Sequence, residues 1–315
     1  MNRLLIALLL AVSFHISGFA EGTGSRVIYL DAVVSPDSLS CTIPFTRIGN
    51  LILIAAQADT THGFFVLDTG TPGLVLNITY FRNYPVTNST ESGGVTGASS
   101  IMASQTVVDS LVFGAIRYFH VNADLINLGH IENKKGVKIF GLLGTKLFED
   151  DEMIIDYAAG VIYLHRIGKK EAGTYHSEQL NDASAYTTLP ITLEDDKIIL
   201  YGMIRNKKLK FVVDSGAETN VLDSRLPSRV FDSVTVTRSV RLNGSGSEKV
   251  EALYGDLRGL RVGDRDVGVL PVLITNLQSM CDAYNNCIDG MLGFDFLSLH
   301  KIGFNFVTRQ MYIWR

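Results

Sequence analysis

Phe64-Phe65-Val66-Leu67-Asp68-Thr69-Gly70-Thr71 reads as an apolar strand running into an acidic turn. The pattern returns as Phe211-Val212-Val213-Asp214-Ser215-Gly216-Ala217. A further apolar stretch follows each copy, Leu74-Val75-Leu76 after the first and Val221-Leu222 after the second. One Asp-Thr-Gly carries little weight, because turns favour Asp and Gly for local backbone reasons. Two copies, each behind an apolar run, carry far more. A carboxylate at the end of a buried strand costs desolvation energy unless it is hydrogen-bonded or paired.

Matching landmarks continue downstream. Gly141-Leu142-Leu143-Gly144 follows Asp68, and Gly290-Met291-Leu292-Gly293 follows Asp214 at nearly the same interval. Ile155-Asp156-Tyr157 and Phe304-Asn305-Phe306 come next, and then Ile162-Tyr163-Leu164 and Met311-Tyr312-Ile313. Pro44 and Pro190 open the first strand of each half. Landmarks in one order and nearly one spacing describe a duplicated domain.

The pair of acidic turns and the two apolar-apolar-Gly segments resemble the aspartic protease family in its two-lobed, pepsin-like arrangement, with retropepsin-like lobes. The resemblance covers residues 41 to 315. It implies an all-β chain of two similar six-stranded β-barrel lobes with a central cleft, the pepsin/retropepsin-like acid protease fold. The expected division is a signal peptide at 1–20, a lead-in at 21–40, an N-terminal lobe at 41–167, a linker at 168–185 and a C-terminal lobe at 186–315.

Composition agrees with a globular chain. Of 315 residues, 46% are hydrophobic and 19% charged, which separates the sequence from disordered ones. The net charge of -4, without a long basic block, gives nucleic acid no phosphate-binding face. Abundant Gly and β-branched or aromatic residues favour strands and turns. At the N-terminus, Asn2-Arg3, the apolar run Leu4 to Phe14 and Gly18-Phe19-Ala20 read as a secretory signal peptide. Its core is too short to span a bilayer comfortably, and no later segment forms an uninterrupted span, so stable membrane insertion is not expected. Export to a periplasmic or extracellular location is.

Cys281 and Cys287 bracket a short polar run and are expected to form a local disulfide, with Cys41 left over. Three scattered cysteines without histidines at ligand spacing make no zinc set, and neither metal nor cofactor is called for. Gly-x-Ser-x-Gly is absent, so a serine hydrolase has little support. The stretch from 85 to 100 is rich in Ser, Thr, Gly and Asn. It lies where retropepsin-like lobes carry a flap, and Gly93, Gly94, Val95, Thr96 and Gly97 are its substrate-binding candidates. The same residues also suit a surface loop. The second half has Leu242 to Ser247 in the corresponding place, and no tyrosine sits at the 91–97 tip.

The resemblance implies that Asp68 and Asp214 meet at the lobe junction as the catalytic pair. Two adjacent carboxylates cannot both ionise cheaply and share a proton. One would act as general base on a water, and the other would polarise the scissile carbonyl. Gly70 and Gly216 would let backbone N–H groups approach the carboxylates. Thr69 and Ser215 would bond across the junction, and Thr71 could serve Asp68 in a way that Ala217 cannot serve Asp214. The expected activity is that of an aspartic-type endopeptidase on extended polypeptides, carried by a monomer, since one chain supplies both aspartates. Two other readings stand beside it. One is a secreted peptide-binding module with this fold and little or no catalysis, and the other is an unrelated all-β secreted protein.

Overall fold

A computed structural model of the chain describes residues 33–34, 39–93, 100–243, 249–278, 280–281 and 287–315. The leader, the apolar stretch Val27–Leu30, the flap candidates Gly94, Val95, Thr96 and Gly97, and Gly244–Ser247 lie outside the described residues. Within them the chain is all-β and two-lobed, and its longest helix, Gly129–Lys135, has 7 residues. No helix among the described residues is long and apolar enough to cross a membrane.

Hairpins build the sheets in chain order, because tight two-residue turns join strands whose apolar faces both need cover. Ser40–Ile48 turns at Gly49-Asn50 into Leu51–Ala58, which turns again into Thr61–Leu67. In the first lobe six strands close on themselves. Leu51–Ala58 pairs with Thr61–Leu67, and the path continues through Gly141–Leu143, Leu74–Asn77, Ile116–Ile126 and Ser100–Phe113. Ala56↔Phe113, Gln57↔Val112 and Ala58↔Leu111 then join its two ends. Phe65, Leu67, Leu76, Leu111, Phe113 and Tyr118 fill the interior, and the Tyr118 hydroxyl donates to Leu147 O at 2.7 Å.

The second lobe does not close, which corrects the expectation of two similar six-stranded barrels. Its strands form an open, curled sheet that begins at Val234–Asn243 and ends at the two-residue hairpin of Arg261–Val262 with Arg265–Asp266. The cause is one broken strand. In the first lobe Ser100–Phe113 runs 14 residues without interruption and bends round to meet Leu51–Ala58. Its counterpart Lys249–Leu257 stops, crosses Arg258–Leu260 with Gly259 at φ +71°, and resumes as Arg261–Val262. That remnant reaches Lys197–Ile204 only through Met203↔Arg261.

Six antiparallel strands tie the lobes together, in the order Tyr186–Pro190, Gln310–Trp314, Ile302–Asn305, Asp151–Asp156, Val161–Arg166 and Ser40–Ile48. At its centre Ile154 pairs with Gly303. Those two residues stand the same distance apart in sequence as Gly144 and Gly293. Asn305 Nδ2 donates to the buried Glu152 carboxylate at 3.1 Å across this pairing. Tyr157 meets the Phe294 ring edge-on at 5.8 Å, and the Arg47 guanidinium lies 4.4 Å above the same ring. The lobes thus meet through a sheet that buries one polar pair, with aromatic and cation–ring contacts beside it.

The disulfide expected from the sequence is present between Cys281 and Cys287, and Cys41 is a free thiol in Ser40–Ile48. The bond closes a short loop of sequence separation 6. Replacing both cysteines by serine is expected to cost about 2 kcal/mol on chain-entropy grounds. Urea unfolding reads this as a lower midpoint.

Candidate functional site

Each half presents its acidic turn on the same three-strand frame. Thr61–Leu67 runs parallel to Gly141–Leu143, which is antiparallel to Leu74–Asn77. Lys207–Val213, Gly290–Leu292 and Asn220–Asp223 repeat those pairings. At the strand ends Asp68 N donates to Leu143 O at 3.0 Å, and Asp214 N donates to Leu292 O at 2.9 Å. The apolar-apolar-Gly segments end in glycine because the turn backbone passes directly over them. A Cβ on Gly144 would lie 2.4 Å from Thr71 O, and one on Gly293 would lie 2.6 Å from Ala217 O.

Asp68 and Asp214 meet at the lobe junction, and both are 0% exposed. Their closeness is fixed by the turns. A Cβ on Gly70 would come within 2.5 Å of Asp214 Cγ, and one on Gly216 within 2.6 Å of Asp68 Cγ. Glycine is required there by space. Gly70 N donates to Asp68 Oδ1 at 3.0 Å, and Gly216 N donates to Asp214 Oδ1 at 2.8 Å.

Thr69 and Ser215 bind each lobe to the other. The Thr69 hydroxyl donates to Val213 O at 2.9 Å and accepts from Ser215 N at 2.9 Å. The Ser215 hydroxyl donates to Leu67 O at 2.8 Å and accepts from Thr69 N at 3.0 Å. All four bonds are buried, where an unmade bond costs the full desolvation of its polar groups. Thr71 adds an asymmetry, donating from Oγ1 to Asp68 Oδ2 at 2.9 Å. Ala217 has no hydroxyl with which to serve Asp214 in the same way.

The two carboxyls titrate as one unit. Burial, and after it the Asp214 charge, pushes Asp68 well above the usual carboxylate range. Burial raises Asp214 as well, opposed by the N–H of Gly216 and by the Asp68 carboxyl donating to it. Burial and mutual repulsion therefore keep one proton shared between the two carboxyls above the usual carboxylate range.

Two features near the pair have no strong local signal in the sequence. Lys135 Nζ reaches across the lobes to Glu218 Oε2 at 2.5 Å, and Asn50 Nδ2 donates to Glu218 O at 2.8 Å. Lys197, 2% exposed, lies beside the Asp214 turn. Of the flap candidates only Gly93 is described. It ends the strand Asn88–Gly93 and pairs with Ser100. The second lobe carries a similar hairpin stem, Val234–Asn243 with Lys249–Leu257. Among the described residues no three His, Cys, Asp or Glu side chains form a metal-ligand group.

Residues 200–296 match a family described as aspartyl protease, a span that contains Asp214, Gly290 and Gly293. No curated protein matches the chain. Among solved structures the fold is similar to that of Basic 7S globulin from soybean. The two share 10% identity over 87% of this chain and 94% of the globulin, with a TM-score of 0.50. At that identity the likeness concerns the fold alone. That neighbour is by name a globulin. The expectation of an aspartic-type endopeptidase is corrected on this finding. The chain has a distant, partial match to an aspartic-protease-like, pepsin/retropepsin-type fold.

Proposed function

We propose that the chain is an exported peptide-binding module on an aspartic-protease-like fold, with little or no catalysis. The observation that carries this reading is the closure of the aspartate pair. Both carboxyls are 0% exposed, walled by Gly70, Gly216 and the Thr69–Ser215 bonds. Hydrolysis would need a water within hydrogen-bond reach of the ionised member. With both carboxyls 0% exposed, the pair has no direct contact with bulk water. The same four cross-lobe bonds suit a rigid floor beneath a bound chain.

Open strand edges support the peptide ligand. Among the described residues Asn88–Gly93 pairs only with Ser100–Phe113, and Val234–Asn243 only with Lys249–Leu257. Each leaves one row of backbone donors and acceptors to which an extended segment can add as a further strand. In this reading Asp68, Thr69, Gly70 and Thr71, with Asp214, Ser215, Gly216 and Ala217, form the groove floor, and Gly93 belongs to its rim.

The test incubates leaderless protein with a peptide library from pH 3 to 8 and follows both retention and mass. Intact peptides retained with micromolar dissociation constants, without turnover, are the expected result. Internal cleavage by the wild type that is lost in folded Asp68→Asn and Asp214→Asn variants would overturn the proposal. Failure to retain any peptide would overturn it equally.

A further inference from the structure

Lys197 is a buried cation in a position that the first lobe fills with leucine. Glu194↔Lys197 closes a hairpin through Asp195 and Asp196, and Ile198↔Val213 is the next cross-strand pair on the other side. Continued by one residue past its last pair, that register sets Lys197 across from Asp214, whose charge acts on it. In the first lobe Leu53↔Val66 corresponds to Ile199↔Val212, which puts Leu51 opposite Asp68. Leu51 is 0% exposed and packs in an apolar cluster with Leu53 and Val66. Lys197 is 2% exposed, and beside it Ile199, Val212 and Ile288 line the same small recess. Burying an ammonium costs several kcal/mol, which a leucine at this position would not incur.

Nearby charges divide unequally. On its own hairpin Lys197 meets Glu194, Asp195 and Asp196. The facing strand brings Lys210 and, at its end, Asp214, and the segment after the disulfide brings Asp289. Glu194 is engaged by Lys210 Nζ at 2.5 Å, and Asp289 Oδ2 accepts from Lys210 N at 2.7 Å. Asp195 lies exposed in the turn, where water screens its carboxylate, though its carbonyl accepts from Lys197 Nζ at 3.1 Å. Asp214 is the fully buried acid of the set. Burial pulls the Lys197 ammonium down to about 8, against the pull of Asp195, Asp196 and Asp214, so it stays charged at neutral pH.

We propose that Lys197 is a positioning residue for the aspartate pair, its buried ammonium holding Asp214 as the ionised member and leaving the shared proton with Asp68. The pair then has a fixed polarity, with an O–H donor on the first lobe and a charged acceptor on the second. For a peptide lying above the pair, and resting on the peptide-binding reading, the field of this buried polarity favours one chain direction.

Carboxyl carbon NMR of protein labelled at Asp Cγ tests the charge assignment without any ligand, so its failure is separable from failure of peptide binding. Wild type, Lys197→Leu and Lys197→Arg are titrated side by side, with Lys197→Gln as a second neutral variant should the leucine variant not fold. Removing the cation should move the first ionisation of the pair upward by about one pH unit, the scale of an opposite charge at close range. Arginine should leave the midpoint near that of wild type. An unchanged midpoint in the neutral variant, or an equal shift with arginine, would refute the proposal, because then no charge at 197 sets the pair.

Discussion

Ser215→Ala is expected to lower the free energy of unfolding by about 3 kcal/mol, more than most single truncations of a hydroxyl. The serine hydroxyl makes two buried bonds at once, accepting from Thr69 N and donating to Leu67 O. Alanine leaves an N–H and a carbonyl without partners, at about 1–3 kcal/mol each when neither reaches water. Ser215→Thr keeps the hydroxyl and should stay close to wild type. Thr69→Val removes the symmetrical pair of bonds to Val213 O and Ser215 N and should cost a similar amount. The double variant should lose less than the sum of the two, since both hydroxyls hold the same two turns and the second has less to hold once the first is gone. Equilibrium urea unfolding of wild type and the four variants decides it. A Ser215→Ala loss below about 1 kcal/mol would mean that the lobes are held by the shared sheet and not by this junction.

What could be read in the sequence was whatever chain-local sterics dictate. The strand, the acidic turn and the apolar-apolar-Gly segment recur because one three-strand frame demands them, and Gly144 under Thr71 O leaves room for no other residue. The disulfide was legible for the same local reason. Barrel closure was not. It turns on whether one strand runs unbroken for 14 residues, as Ser100–Phe113 does, or stops at Arg258-Gly259-Leu260. Glycine there was visible, but its effect on an edge contact with Lys197–Ile204 depends on the whole curl of the sheet. Long-range polar contacts were equally hidden. Glu218 and Lys135 lie 83 residues apart with no motif between them. Lys197 sits at the polar end of an apolar run, and its burial follows from cross-strand register, which became readable only once the halves were aligned strand by strand.

That alignment also separates scaffold from chemistry. The four hydroxyl bonds and the two close glycines are near-equivalent in the halves, as a junction built on two similar turns requires. Thr71 against Ala217, and Leu51 against Lys197, are unequal, and both lie beside the carboxyls. Those two differences lie beside the carboxyls, whereas the hydroxyl bonds between the two turns are alike.

Stability should be greater at pH 4.5 than at pH 7.5, by several kcal/mol, because three buried acids bind protons more tightly in the folded chain than in the unfolded one. Asp151, 0% exposed, is raised by burial to about 6 despite its ion pair with Arg166 Nε at 2.7 Å. An acid with a raised folded value contributes stability that is complete below its unfolded value near 4 and is lost as pH rises through the folded value. For Asp151 the loss falls between about pH 4 and 6 and amounts to roughly 3 kcal/mol, at 1.36 kcal/mol per unit. Asp214 adds to it in the same direction, and Asp68, raised further, carries the decline to higher pH. Lys197 has the opposite sign in a separate window. Its folded value near 8 is depressed, so its charged form weakens the fold below pH 8, and stability is regained between about 8 and 10.5. Urea unfolding at fixed salt from pH 4.5 to 10 should therefore trace a fall followed by a partial recovery. Asp151→Asn should remove the early part of the fall, Asp68→Asn the later part, and Lys197→Leu the recovery. A profile that is flat or that rises from pH 4.5 to 7.5 would show that these acids keep ordinary affinities, and that water reaches the pair more freely than a closed binding floor allows.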